Sequence, residues 1–367
     1  MPNPVYSPDL AGIQVGETRI SNVEGIDGRL SYRGVSIDEL IKKPFVRVVW
    51  LVLFGAEPTV EQETSLQSFM ALHSSLSAEE LSLLRSVPER LHPMLVLQCM
   101  LPMIDPDTEH GIDGITDDAQ RGLLLASKIP SLLAARHQLE KGKEPIKVNA
   151  HLPFHENFLM TFTGRAPTSS QIRMLDVTQI LQMEHSFNAS TFAGRVCAST
   201  LAPIQSSLVA AIATLSGELH GGADQAALEM AERVGTPSAA AKFVADCLAD
   251  KVKIMGMGHR EYKVVDPRAV ILKPMAEALC SSGESKNLFD TLVAIEAACQ
   301  SEFDKKGKQI WANVEFYKGA VFHQLGIPAH YFTSVFAMAR VFGYIAHYLE
   351  FSANSKLIRP SARYVGV

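Results

Sequence analysis

Three histidines and one glutamate stand in four short segments whose residue types suit acid–base and anion-binding chemistry. The segments are EHSFNAST around His185, GELHGGAD around His220, MGMGHREYKVVDPRA around His259 and ANVEFYKGA around Glu315. An imidazole can donate or accept a proton near neutrality, and a carboxylate can remove one from a polarised substrate. No segment contains a cysteine or the HExxH spacing that places zinc ligands on one helical turn, so the set does not read as a metal centre. Each segment alone is a weak signal. Gly217, Gly221 and Gly222 allow the backbone around His220 to approach a ligand closely, yet a capping or core histidine is the commoner use of such a position. Gly256 and Gly258 precede His259 without forming GxGxxG, which gives no dinucleotide-binding reading. Pro267 disfavours helical backbone at Asp266, so an extended turn with Arg268 at a rim is expected. Val314 and Phe316 flank Glu315 and suggest a partly apolar pocket, of the kind that raises a carboxyl pKa. An exposed glutamate near a turn is the plainer alternative.

The elements that must carry these residues are nearly all helical. Ser77-Ala78-Glu79-Glu80 and Thr168-Ser169-Ser170-Gln171 have the pattern of capping boxes. After the second, Ile172, Leu175, Gln179 and Met183 lie close to one helix face, which brings His185 to the end of a helix over 170–184. Asn188, Ser190 and Thr191 can cap the next helix. Gly164 before Arg165-Ala166-Pro167 reads as a helix stop. Pro130 interrupts the apolar run from Leu123 to Leu139, where a kink or break is expected. Val335, Met338, Phe342, Ile345 and Leu349 recur at helical spacing and surround Arg340 with apolar residues. That arginine either snorkels its head to water or holds a guanidinium for an anionic ligand. The one strand signal is at 19–34, where two alternating stretches flank Asp27-Gly28 and suggest a hairpin.

Bulk properties exclude several classes. A chain of 367 residues, 47% hydrophobic and 20% charged, folds as one large domain or two unequal ones. Its formal net charge of -5 argues against a nucleic-acid binder, which must neutralise phosphates. The stretch MPNPVYSPDLAG has neither a secretory nor a transit-peptide pattern. No apolar run reaches the roughly 18 residues that span a bilayer; VVWLVLF at 48–54 reads as a buried helix. Five cysteines, odd in number, far apart and without a CxxC pair, fit reduced thiols in a cytoplasmic setting.

The order of the segments is more specific than any one of them. GELHGGAD, KIMGMGHREYKVVDPRA, NVEFYKG, ARVFGYIAHYLE and IRPSARYVG, with AGIQVGETRISNVEGIDGRLSYRG near the start, together resemble the citrate synthase family over about residues 8–367. The resemblance implies an all-α, two-domain helical fold with a small N-terminal β-hairpin. A large domain would comprise 1–218 and 322–367, and a smaller one 219–321 would close over a cleft. It implies a homodimer in which Arg359 reaches the site of the other subunit. It also implies condensation of acetyl-CoA with oxaloacetate and hydrolysis of the thioester, with no tightly bound cofactor. By motif position, Glu315 would take the methyl proton, His220 would donate to the thioester carbonyl and His259 would polarise the oxaloacetate carbonyl. His185, Arg268, Arg340 and Arg359 of the partner subunit would hold its carboxylates, with Arg363 a further candidate. Met255, Gly256, Met257 and Gly258 would lie against CoA.

The chain departs from the family pattern in four places. Glu315 stands where an aspartate is common, and its extra methylene shifts the carboxylate by about a bond length; misplacement near 1 Å can cost about 10²-fold in rate. Met257 replaces a phenylalanine, Glu261 an apolar residue after His259-Arg260 and Glu218 a proline before Leu219; each bears on CoA affinity or loop shape, not on the fold. Two alternatives stay open beside citrate synthase. One is a 2-methylcitrate synthase acting on propionyl-CoA; the other is a catalytically weak paralogue serving as a binding or assembly protein.

Overall fold

The computed structural model describes residues 6–366. The first five residues of the N-terminal stretch and Val367 lie outside that range. Strands β1 (Ser21–Glu24) and β2 (Arg29–Tyr32) form the expected antiparallel hairpin, with Glu24 opposite Arg29. Its turn is the four residues Gly25 to Gly28, wider than a two-residue Asp-Gly turn. A reason lies in the tertiary structure: the Gly25 carbonyl accepts the Lys263 N–H at 2.8 Å, so the turn is stitched to the loop that carries His259. A third strand, β3 (Val35–Ser36), pairs with β2. The remaining regular structure among the described residues is helical.

Local chemistry explains where the helices start and stop. Thr59, Ser77 and Thr168 each make a complete capping box with the residue three positions on. The helix Phe154–Thr163 ends on Gly164 in left-handed backbone (φ 76°). Of the kink or break expected at Pro130, the break does not occur, since one helix runs from Asp117 to Glu140 with that proline inside. Both flanks of Pro130 are buried, and packing against helices Phe154–Thr163 and Phe332–Ser352 holds the helix through the lost hydrogen bond.

The helix Phe332–Ser352 is the centre of the core. Every residue from Phe332 to Tyr348 is buried, so it has no solvent face, and most of its circumference is apolar, as an internal helix requires. Helices Phe45–Phe54, Asp117–Glu140, Ser169–Gln182, Ala189–Ala198 and Ile204–Leu215 surround it. A second group, Ala223–Val234, Pro267–Leu279, Gly283–Lys305 and Val314–Gln324, packs mutually. No helix among the described residues is long and apolar enough to cross a membrane. All five cysteines are free.

Candidate active site

A cleft of about 1270 Å³ receives residues from both groups of helices. His185, His220, His259, Arg268, Glu315, Arg340 and the loop Met255–Gly258 all line it. Of the site residues expected from sequence, only Arg359 and Arg363 do not. Both lie exposed on the irregular tail that follows the last helix.

His185 follows the helix Ser169–Gln182 in a tight link to Asn188, which caps the helix Ala189–Ala198 with its side chain. The neighbouring Glu184 fixes that link from below: its carboxylate accepts from Ser21 Oγ (2.9 Å) and meets His347 Nε2 (3.0 Å), all buried. His185 Nε2 contacts the Tyr262 hydroxyl at 3.1 Å. Burial, then Arg268, His259 and Arg340, hold its pKa well below the ordinary value.

His220 lies in the short turn between helices Ile204–Leu215 and Ala223–Val234. Its Nε2 is 2.7 Å from Ser190 Oγ, and the Ser190 N–H donates to the same nitrogen at 3.4 Å. Ser190 Oγ donates to Asn188 and accepts from Tyr344, so the serine is fixed in turn. Burial and then Arg340 lower the His220 pKa to about 4. The ring is neutral near pH 7.

His259 gives the clearest protonation argument. Its Nδ1 accepts the backbone N–H groups of Glu261 (3.0 Å) and Tyr262 (3.3 Å), which places the ring proton on Nε2. Nε2 faces Arg268 NH2 at 3.2 Å. Two donors side by side have nothing to offer each other; they suit a shared acceptor between them. Burial and then Arg268 lower the His259 pKa to about 4.

Arg268 departs from expectation. Asp266 is the N-cap of a helix, Pro267 occupies its first turn, and Arg268 is 4% exposed rather than at a rim. Pro at the first helical position is favourable because its missing N–H has no helical partner there. The Asp266 carboxylate accepts from Arg268 Nε (3.0 Å), NH2 (2.8 Å) and the Arg268 backbone N–H (3.0 Å). Burial alone would raise the Asp266 pKa; Arg268 outweighs it, and the carboxyl sits below its ordinary value. Arg340 is 2% exposed and reaches the cleft from the central helix. Its Nε donates to the Gln182 carbonyl (2.6 Å) and its guanidinium lies over Phe336. The snorkelling alternative is thereby set aside.

Glu315 opens the helix Val314–Gln324, whose N-cap Asn313 accepts the Glu315 N–H at 3.0 Å. The same side chain donates to the Gly258 carbonyl (2.9 Å), and the Asn313 N–H donates to the Gly256 carbonyl (2.9 Å). One asparagine therefore joins the helix that carries Glu315 to the loop Met255–Gly258. Gly256 permits this contact in two ways: its φ is +76°, and a Cβ there would sit 2.7 Å from the Phe316 ring. The setting of Glu315 is not the apolar pocket expected. Lys318, one turn further along the helix, places its Nζ against Glu315 Oε2 and 2.9 Å from Asp224 Oδ2.

Sequence reasoning missed Lys318, Asp224, Asp266, Tyr262 and Ser190. Two signals were present: Lys318 stands at i+3 from Glu315, where helical side chains meet, and Asp266 precedes Pro-Arg at a helix start. It also missed that residues 9–18 line the cleft, tethered by Asp9 to Arg260 at 3.3 Å.

The chain is similar to known proteins over nearly its whole length. The family model described as "Citrate synthase, C-terminal domain" matches residues 9–361. The chain is 37% identical to the citrate synthase of a Synechocystis species over 99% of its own length and 92% of the relative's. It is 35% identical to the citrate/2-methylcitrate synthase of Bacillus subtilis, covering 98% and 96% of the two chains. The crystal structure of citrate synthase from Thermotoga maritima is similar with a TM-score of 0.89 at 36% identity, covering 99% and 96%.

Proposed function

The chain belongs to the citrate synthase family, and on that premise we propose that it condenses acetyl-CoA with oxaloacetate and hydrolyses the resulting citryl-CoA to citrate and CoA. The observation that carries the reading is the convergence of Glu315, His220 and His259 with Arg268 and Arg340 on one cleft.

The chemistry divides among these groups as follows. Glu315 removes a proton from the acetyl methyl. The C–H electron pair becomes the enol double bond, and the thioester oxygen takes a hydrogen bond from His220. Ser190 occupies Nε2 of His220, which leaves Nδ1 for substrate; Nδ1 donates in the tautomer in which the Ser190 hydroxyl turns its proton to Nε2. A neutral donor at the developing oxyanion stabilises charge that the ground state lacks. The enol carbon then attacks the ketone carbon of oxaloacetate, and the carbonyl pair moves to oxygen, where His259 Nε2–H supplies the hydrogen bond and proton. Water attacks the citryl thioester carbonyl and CoA leaves as the thiol. Arg268, Arg340 and His185 hold the two carboxylates, with Arg359 of the partner subunit completing the set in a homodimer. Paired guanidinium donors match a carboxylate and carry permanent charge. Met255, Gly256, Met257 and Gly258 hold CoA. The unit 219–321 closes on 1–218 and 322–367 and excludes water until condensation is done.

The identity to a citrate/2-methylcitrate synthase supports a second acyl substrate, propionyl-CoA. One extra methylene in a pocket is worth only about 1–3 kcal/mol, so selectivity is a matter of degree. A thiol-release assay with oxaloacetate and each acyl-CoA tests the reading. Oxaloacetate-dependent release with acetyl-CoA is expected, and faster than with propionyl-CoA. Release with neither would leave only the binding-protein alternative.

A further inference from the structure

We propose that Lys318, anchored on Asp224, is a positioning residue for the base: its ammonium holds the Glu315 carboxylate in the orientation that proton abstraction needs. The inference rests on the assignment of Glu315 as base.

The placement of the three groups carries it. The Lys318 and Asp224 side chains are 0% exposed, whereas Glu315 is 13% exposed and lines the cleft. Neither Lys318 nor Asp224 lines it. The ammonium therefore meets the carboxylate at its buried oxygen Oε2, while the exposed part of Glu315 belongs to the cleft. Phe336 lies under the Nζ at 4.3 Å, and the next residue, Gly319, lets the two helices close up: a Cβ there would meet Leu228 Cβ at 2.9 Å and the Asp224 carbonyl at 3.1 Å. The Lys318–Asp224 pair is sealed between the helices Val314–Gln324 and Ala223–Val234.

Stability alone does not account for such a cluster. Two apolar side chains would fill the space without desolvating charge, and that exchange is often neutral or favourable. Burial and the nearby Glu315 push the Asp224 carboxyl upward, Lys318 pulls the other way, and the net direction is up. The cluster is thus under electrostatic load. Its use is geometric. A glutamate has one more torsion than an aspartate, and an untethered carboxylate samples orientations that cannot reach the methyl proton. A fixed cation one helical turn away removes that freedom. Charge also balances through the step: the cluster carries one net negative charge before abstraction, and the neutral Lys318–Asp224 pair remains after it.

The test is a pair of double variants in the full chain. Asp224→Asn with Lys318→Met removes both charges at similar volume; Asp224→Asn with Lys318→Gln keeps a hydrogen-bonding group near Glu315. Oxaloacetate-dependent thiol release, oxaloacetate affinity by intrinsic fluorescence and the isotope effect with trideuterated acetyl-CoA are measured for each. The methionine pair is expected to lose about 10–100-fold in kcat, as a misplaced catalytic group does. Oxaloacetate affinity stays within about two-fold, because its ligands are untouched. The isotope effect rises, and the glutamine pair recovers part of the rate. Added to Glu315→Gln, the methionine pair costs nothing further. If only the glutamine pair folds, its kcat and isotope effect decide alone. A folded pair with wild-type kcat and isotope effect overturns the inference, as does equal loss of rate and oxaloacetate affinity. A wild-type protein with no thiol release overturns the assigned reaction instead, and this inference with it.

Discussion

Replacing Glu315 by glutamine separates chemistry from folding, because the charges around it predict opposite effects on the two. The amide keeps the shape of the side chain but cannot accept the methyl proton. General-base catalysis contributes about 10²–10⁴-fold, or about 3–5 kcal/mol of barrier. Thiol release should fall by that factor at saturating substrates. Folding should not suffer. The wild-type cluster holds Asp224, Lys318 and Glu315 with one net negative charge largely out of water. The variant leaves the Lys318–Asp224 pair intact and neutral, so stability changes by less than about 1 kcal/mol, or rises. Lys318→Met provides the contrast. It strands the Asp224 carboxylate, whose side chain has no exposure, and loss of one partner from a buried pair costs about 3–5 kcal/mol. Urea midpoints and thiol-release rates on the three proteins give the comparison. A Glu315→Gln protein within tenfold of wild-type kcat would remove Glu315 from the mechanism. One as unstable as Lys318→Met would show the cluster to be assigned wrongly.

Two further outcomes follow from local geometry. His137 has both ring nitrogens buried without a partner, is stacked on Phe162 at 4.1 Å, and is held neutral, its pKa lowered to about 4 by burial and then Lys141. The folded value is depressed, so its contribution is intact above the unfolded value near 6.5 and is lost as pH falls toward 4. At pH 5 the loss is about 2 kcal/mol. His137→Leu should recover that amount at pH 5 and none at pH 7.5, and urea midpoints with the same pH slope as wild type would refute it. Gly256→Ala must place a Cβ at positive φ and 2.7 Å from Phe316. It should cost about 1–3 kcal/mol of stability and raise the KM for acetyl-CoA. Wild-type values for both in melting and steady-state assays would show that the loop's backbone geometry does not matter.

How far the sequence reached depended on whether a feature is decided locally. The capping boxes at Ser77 and Thr168, the stop at Gly164 and the cap at Asn188 involve residues within three or four positions, and they form as read. The internal helix bearing Arg340 was visible from its apolar spacing. Features set by tertiary contact were not. Pro130 stays helical because its neighbours are packed on all sides. Arg268 is buried because Asp266, rather than solvent, receives its guanidinium. The surroundings of Glu315 were misjudged because its sequence neighbours Val314 and Phe316 are apolar, while the group that touches it lies one turn on. The resemblance named residues that the structure gathers on one cleft, but nothing in it pointed to the ion cluster behind Glu315.

The anion-binding arginine and the base are not independent parts. Asp266, which fixes Arg268 through three hydrogen bonds, also accepts the Val314 N–H at 3.1 Å with Oδ2. Val314 is the first residue of the helix that carries Glu315, and Asn313 ties that helix start to the loop ending at His259. A carboxylate thus joins the Arg268 guanidinium to the helix that carries Glu315, and an amide joins that helix to the loop that precedes His259. Both links use buried or half-buried backbone groups, which cannot be left unmade cheaply. Arg268, Glu315 and the loop before His259 are therefore held in one arrangement. Under the proposed closure these three would reach substrate together, with their mutual geometry already set.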